Sequence, residues 1–230
     1  MTKRPIFYDT ETTGIKPEKD RIIEIAAYDP TREKRFHTLV NPEIPIPKAA
    51  SDINHITDDM VEKSPTFGQA GIEFTTFCDG EVVLIAHNND AFDLPFMRTE
   101  FKRSNLTFPP WPFIDSLKFA RKYRPDLPRH SLQHLREYHG IPANNAHRAL
   151  DDVIILHKVF TEMVDDLTME TILKIMTEKK ALRRMPFGKY RGQPLEKIPA
   201  RYVQWLIDKG TLEAPHHQRL RDGFKELGMI

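Results

Sequence analysis

The sequence predicts an α/β protein, a mixed β-sheet flanked by helices, with a small C-terminal α/β module. Three observations predict it. The first strand-like runs form a hairpin-like set, later strands alternate with helical periodicities, and the pattern resets near residue 180. A chain of 230 residues has room for one medium domain plus a small one, and buries a core without staples.

The elements follow in order. Ile6-Phe7-Tyr8-Asp9 reads as a short buried strand entering a turn at Thr13-Gly14. Residues 21–28 are rich in Ile and Ala, residues 33–40 alternate loosely, and residues 29–32 are short enough for a hairpin between them. Pro42, Pro45 and Pro47 impose an extended crossing loop. Residues 52–60 suggest short helical turns, and residues 66–78 an amphipathic helix ending at Asp79-Gly80. Residues 81–86 are the clearest strand, followed by the polar loop His87-Asn88-Asn89-Asp90 and a helix over residues 92–101. Phe113-Ile114 begins a short strand, residues 115–124 form a basic helix, and residues 131–139 another helix closed by Gly140 and Pro142. Residues 149–164 carry a strong helical apolar stripe. A polar helix then runs from Asp166 to about Leu182, and two short helices end the chain. The domain reading is residues 1–170 for the body, 171–182 for a helical linker and 183–230 for a small basic module.

Charge is unevenly placed. The formal net charge is +1, yet residues 1–169 hold 21 Lys and Arg against 26 Asp and Glu, whereas residues 170–230 hold 13 against 7. An acidic body with a basic tail points to a polyanionic partner, a solvated basic face being the plain alternative. The longest apolar run, residues 82–86, is far too short for a bilayer, so no membrane partner is expected. A single Cys78 excludes an intramolecular disulfide and fits a reducing compartment. Met1-Thr2-Lys3-Arg4-Pro5 leads straight into a strand-like run without a signal-peptide apolar region. The expectation is a soluble, cytoplasmic protein.

Asp9 and Glu11 lie two apart in extended backbone, so both carboxylates point to one face. Two carboxylates at one site repel unless cations lie between them. On these two residues alone, an Asp capping a turn beside a solvated Glu fits better. Asp93 follows the strand 81–86 at the first turn of the next helix, where open α/β sheets build their sites. An acid there also complements the helix dipole, and His87 and Asn88 fit loop capping better than metal ligation. In Asn145-Ala146-His147-Arg148-Ala149-Leu150-Asp151-Asp152, five residues separate His147 from Asp152, about 140° out of helical phase. Asp152 therefore belongs to the helix's first turns and His147 to the loop before it, with Asp151 pointing elsewhere.

Taken together, these residues match a family pattern. Phe7-Tyr8-Asp9-Thr10-Glu11-Thr12-Thr13-Gly14 resembles the first motif of the DEDDh 3′–5′ exonucleases. Ala86-His87-Asn88 with Phe92-Asp93 resembles the second, and His147 with four residues before Asp152 the third. The segment Phe187-Gly188-Lys189-Tyr190-Arg191-Gly192, with Tyr202-Val203-Gln204-Trp205-Leu206, is similar to the terminal module of the bacterial exonuclease X branch.

The resemblance implies an RNase H-like sheet and two divalent metal ions, Mg²⁺ or Mn²⁺, held by Asp9, Glu11, Asp93 and Asp152. All-oxygen donors do suit hard cations. It implies His147 as general base and release of 5′-mononucleotides from DNA, single-stranded or duplex, in repair or proofreading. Thr12, Thr13 and Gly14 would offer backbone amides to the terminal nucleotide, as the motif does in the family. Ile15, Ile53, His55 and Ile56 are candidates to pack on a base, with local apolar packing equally compatible. Lys189 and Arg191 are candidates for phosphate contact in a basic, aromatic-interleaved stretch. RNA as the substrate, or a non-catalytic polymerase-accessory role, are the alternatives. The sequence names no polymerase or repair-protein partner.

Overall fold

A computed structural model describes residues 3–143, 148–177 and 181–230. The chain divides into two compact units, Met1–Ile175 and Met176–Ile230. No helix among the described residues is long and apolar enough to cross a membrane.

The first unit is built on a five-stranded mixed sheet in the order β3-β2-β1-β4-β5. Strands β1 (Arg4–Thr12), β2 (Ile22–Asp29) and β3 (Lys34–Leu39) form an antiparallel meander. Strand β4 (Val82–Ala86) runs parallel to β1, and β5 (Phe113–Asp115) parallel to β4. All five residues of β4 are buried, as expected for a parallel strand covered on both faces.

Helices α1 (Lys48–Asn54), α2 (Asp58–Val61) and α3 (Phe67–Phe77) follow the meander. Thr66 caps α3 in a reciprocal box with Gln69, which satisfies two otherwise orphaned amides. Then come α4 (Asp93–Arg103), α5 (Ser116–Tyr123), α6 (Leu132–Tyr138), α7 (Ala149–Val164) and α8 (Met169–Thr177).

Strand β1 is sandwiched, and its alternation sets the site. Ile6 and Tyr8 share a core cluster with Phe67, Phe74, Phe96 and Phe101 of α3 and α4. Phe7, one residue out of phase, meets Phe160 of α7 edge-on, with ring centroids 5.7 Å apart. Period-two geometry therefore sends Asp9 and Glu11 to the α7 side of the sheet, and Thr10 to the α4 side.

Strand β1 runs on through Glu11 to Thr12, up to the turn expected at Thr13-Gly14, because β2 pairs with it as far as Ile22, with a register shift between Glu11 and Thr12. Both acids thus lie within a paired strand. In the second unit, the expected strand component reduces, among the described residues, to one isolated antiparallel bridge, Arg184 with Pro194. That unit is built instead from 3₁₀ turns and helices α9 (Ala200–Asp208) and α10 (Gln218–Glu226), closed over Met185, Leu195, Leu206 and Phe224.

Candidate active site

Asp9, Glu11 and Asp152 each present one carboxylate oxygen, and the three atoms lie within 4.8 Å of one another. The first two come from β1 and the third from the first turn of α7. Asp152 lies four and seven residues before the buried Leu156 and Val159, so the packing of α7 aims it at the sheet. The three acids line a pocket of about 410 Å³ together with the buried Asp93. Asp93 Oδ1 accepts hydrogen bonds from the Thr10 amide at 3.1 Å and the Thr10 hydroxyl at 2.9 Å. That anchor follows from Thr10 pointing to the α4 side of β1.

The electrostatics record crowding of like charges. Burial, then the neighbouring Asp93 and Glu11, push the Asp9 carboxyl well above its ordinary range. Glu11 is pushed up to about 8, first by burial and then by Glu24 and Asp152, against a lowering influence from Arg148. Asp93 is pushed up to about 7 by burial, with the Thr10 hydrogen bonds opposing. Such a group of acids is costly unless a counter-charge joins it. The donor set is all oxygen and two of its members share a strand face, so the residues fit hard divalent cations.

Glu24, on β2 directly opposite Glu11, was not singled out by the sequence. It is fully buried, lies 2.6 Å from His37 Nε2, and accepts the Ala149 amide at 3.1 Å. Burial works to raise its pKa, but the His37 and Ala149 hydrogen bonds and Arg148 outweigh it and hold the carboxyl below its usual value. Its only sequence signal is that it is the sole charge between Ile22 and Tyr28.

His87 is a structural residue here. Its Nδ1 lies 2.9 Å from the Ser116 hydroxyl and its Nε2 2.9 Å from the His130 carbonyl, and burial depresses its pKa to about 4. Asn88 takes a left-handed backbone at φ 67°, a conformation Asn tolerates well. His147 lies outside the described residues, immediately before Arg148.

The substrate-side candidates separate. Ile15 is 78% exposed and Ile53 57% exposed, and both line the pocket. Thr12 and Gly14 also line it. Any Cβ at Gly14 would collide with the Asp20 carboxylate, which closes this loop by accepting the Lys16 amide at 2.7 Å.

Three expectations are corrected. The Thr13 amide is spent on the Arg21 carbonyl at 2.9 Å, and its hydroxyl accepts the Arg21 amide, so Thr13 offers no backbone amide to a nucleotide. Ile56 is fully buried against Ile23, Ile46, Ala50 and Val61, where no base can reach it. His55 is exposed at the left-handed C-cap of α1, at φ 60°, and does not line the pocket. Asn54 does line it, and its Nδ2 donates to the Thr12 carbonyl at 3.3 Å. Lys189 and Arg191 are exposed residues of the second unit.

A mixed five-stranded sheet with acids converging from its central strand and one flanking helix defines an RNase H-like, metal-dependent phosphodiester hydrolase of the DEDD class. The model of the exonuclease family named for RNase T matches residues 6–160, and the chain belongs to that family. A second family model, described as a proposed quorum-sensing-regulated virulence factor, matches residues 171–216. The DNA polymerase III epsilon subunit of Treponema pallidum is 40% identical over 162 residues, 68% of this chain and 74% of that protein. An Arabidopsis thaliana protein, the chloroplastic/mitochondrial exonuclease DPD1, is 36% identical over 182 residues, 71% of this chain and 57% of that protein. Among solved structures, exonuclease X in complex with 5′-overhanging duplex DNA superposes with a TM-score of 0.58 at 26% identity, over 74% of this chain and 98% of that one. Escherichia coli exonuclease I in complex with a dA16 oligonucleotide gives a TM-score of 0.64 at 22% identity, over 76% of this chain and 43% of that one, a likeness of fold.

Proposed function

We propose that this chain is a DNA 3′–5′ exonuclease that releases 5′-mononucleotides and serves repair or proofreading. In this reading Asp9, Glu11, Asp93 and Asp152 hold two divalent ions, Mg²⁺ or Mn²⁺. The observation that carries it is the convergence of the Asp9, Glu11 and Asp152 oxygens within 4.8 Å, on a pocket floor where the acids repel without cations. DNA as substrate is supported by the relatives, which include a DNA polymerase III subunit and an exonuclease whose structure is solved in complex with 5′-overhanging duplex DNA.

When bound, the ions supply Lewis-acid stabilisation of the attacking and leaving oxygens of an in-line displacement. The protein's own groups do the rest. Asp93 is held by Thr10, and Asp152 by the packing of α7, so the donor set is preorganised before substrate arrives. His147 takes the proton of the attacking water, the general-base role that the resemblance to the family's third motif gives it. Ile15 and Ile53, exposed at the pocket rim, offer apolar surface to the terminal base.

The test uses 3′- and 5′-labelled single-stranded DNA, duplex DNA and RNA with Mg²⁺, Mn²⁺ or EDTA. EDTA-sensitive release of 5′-mononucleotides from DNA 3′ ends is expected. No such release from any substrate would sink the enzyme reading, and release from RNA alone would make the chain an exoribonuclease. Wild-type turnover in His147→Ala would remove the general base.

A further inference from the structure

We propose that the second unit carries a nucleic-acid contact of its own, a stacking platform for single-stranded DNA made by Tyr202 and Trp205 and edged by Lys189, Arg191, Arg201 and Lys209. The proposal rests on the nucleic-acid reading above but not on its catalytic chemistry.

The platform follows from how α9 packs. Val203 and Leu206 are buried in the unit's core, which turns Arg201, Trp205 and Lys209 outward at spacings of four residues, while the half-buried Tyr202 packs against the edge of that core. Trp205 is left 47% exposed, although Leu206 beside it is fully buried. Its ring stacks on Tyr202 with centroids 5.4 Å apart and 24° between planes. Tyr190 braces Tyr202 edge-on at 4.8 Å, and the Lys189 ammonium lies 5.6 Å from the Tyr190 ring. The brace depends on Gly188, at φ 71°, where a Cβ would stand 2.7 Å from the Tyr202 hydroxyl. The result is a short ladder of rings whose outermost face is open.

Charge identifies the occupant. Residues 176–230 hold 12 Lys and Arg against 6 Asp and Glu. Of those acids, Glu226 and Glu213 are already paired with Arg183 and Arg221, and Asp208, on the same helix, accepts from Gln204 at 2.9 Å. Lys189, Arg191, Arg201 and Lys209 are exposed, the first three next in sequence to Tyr190 or Tyr202 and Lys209 one helical turn after Trp205. Open aromatic faces among cations suit unpaired bases and their phosphates, whereas duplex DNA hides its base faces.

Titrating the full chain in EDTA with an unstructured dT oligonucleotide, reading tryptophan fluorescence, tests this. The chain has two tryptophans, and Trp111 packs among Phe74, Phe101 and Phe108, so Trp205 is the reporter. Wild type should quench on binding. Trp205→Phe should keep most of the affinity and lose the quench, whereas Trp205→Ala should bind on the order of tenfold more weakly. Lys189→Gln with Arg191→Gln should flatten the salt dependence by a slope of roughly 1.4, about 0.7 for each phosphate. Unchanged affinity in Trp205→Ala, or an unchanged quench in Trp205→Phe, would overturn the platform. The two readings fail separately: an absence of nuclease activity leaves the quench standing, and an absence of quench leaves mononucleotide release standing.

Discussion

Glu24 Oε2 accepts the backbone amide of Ala149 at 3.1 Å, so a buried carboxylate in the sheet holds the first residue of α7. Asp152 lies three residues further along that helix, and Glu11 lies opposite Glu24 in the strand register. One buried acid thereby sets the distance between two others. Its negative charge is tolerated because His37 and Arg148 also reach it, Arg148 at 3.3 Å.

Removing Glu24 therefore acts on both fold and site. Glu24→Ala leaves the buried Ala149 amide unpaired and should cost about 2 kcal/mol in urea denaturation. It should also weaken Mn²⁺ binding measured by calorimetry, because Asp152 loses its fixed position. Glu24→Gln keeps an acceptor for Ala149 and should recover part of the stability. Wild-type stability and Mn²⁺ affinity in Glu24→Ala would show that α7 docks without it.

Asp151 and Asp152 are neighbours with different fates. Asp152→Asn should lower mononucleotide release by on the order of 10³-fold, as for loss of one stabilising group at a reacting centre. It should leave the fold intact and raise the melting temperature in EDTA, since one repelling charge is gone. Asp151→Ala should change turnover by less than about threefold, as expected of a surface acid. The reverse ranking would mean that α7 presents its other acid.

Stability should depend on pH in an unusual sense. Glu11, near 8, and Asp93, near 7, hold protons more tightly folded than unfolded, where they titrate near 4.5 and 3.8. Their contribution is thus complete below about pH 4 and is lost as pH rises through 7 to 8. In EDTA, the melting temperature should fall between about pH 5.5 and 8.5. Mn²⁺ should restore it, with the larger increment at the higher pH, because metal uptake must displace fewer protons there. A melting temperature independent of pH in EDTA would contradict the crowding described above.

Ile15 projects 78% of its surface at the pocket rim without a packing role in the core. Ile15→Ala should leave urea stability within about 0.5 kcal/mol of wild type. If a terminal base covers half the side chain, about 1 kcal/mol of binding is lost, which raises KM roughly fivefold with little change in kcat. An unchanged KM on short oligonucleotides would remove Ile15 from the substrate contacts.

Much of this was legible in the chain itself. The spacing of Asp9 and Glu11, the strand before Asp93 and the stripe of α7 each follow from local periodicity, which depends only on nearby residues. The choice of Asp152 over Asp151 followed from the resemblance to the family's third motif, in which four residues separate His147 from the acid. Other features were not legible, and for one reason: they are contacts between segments distant in sequence. Glu24 reads as an ordinary strand acid until α7 arrives from 125 residues away. Ile53 and Ile56 look alike in sequence, yet one is exposed at the pocket and the other is in the core. Thr13 looks as available as Thr12 until Arg21 takes its amide.

The sequence by itself determined which residues carry the acids and on which kind of element each one sits. Backbone period and side-chain chemistry decide both, and neither needs a partner segment. Only the tertiary structure decided which acids meet, which neighbours hold them, and which apolar side chains remain outside. Those outcomes depend on the sheet order β3-β2-β1-β4-β5, which places β1 at the centre and sends its alternate residues to two different helices.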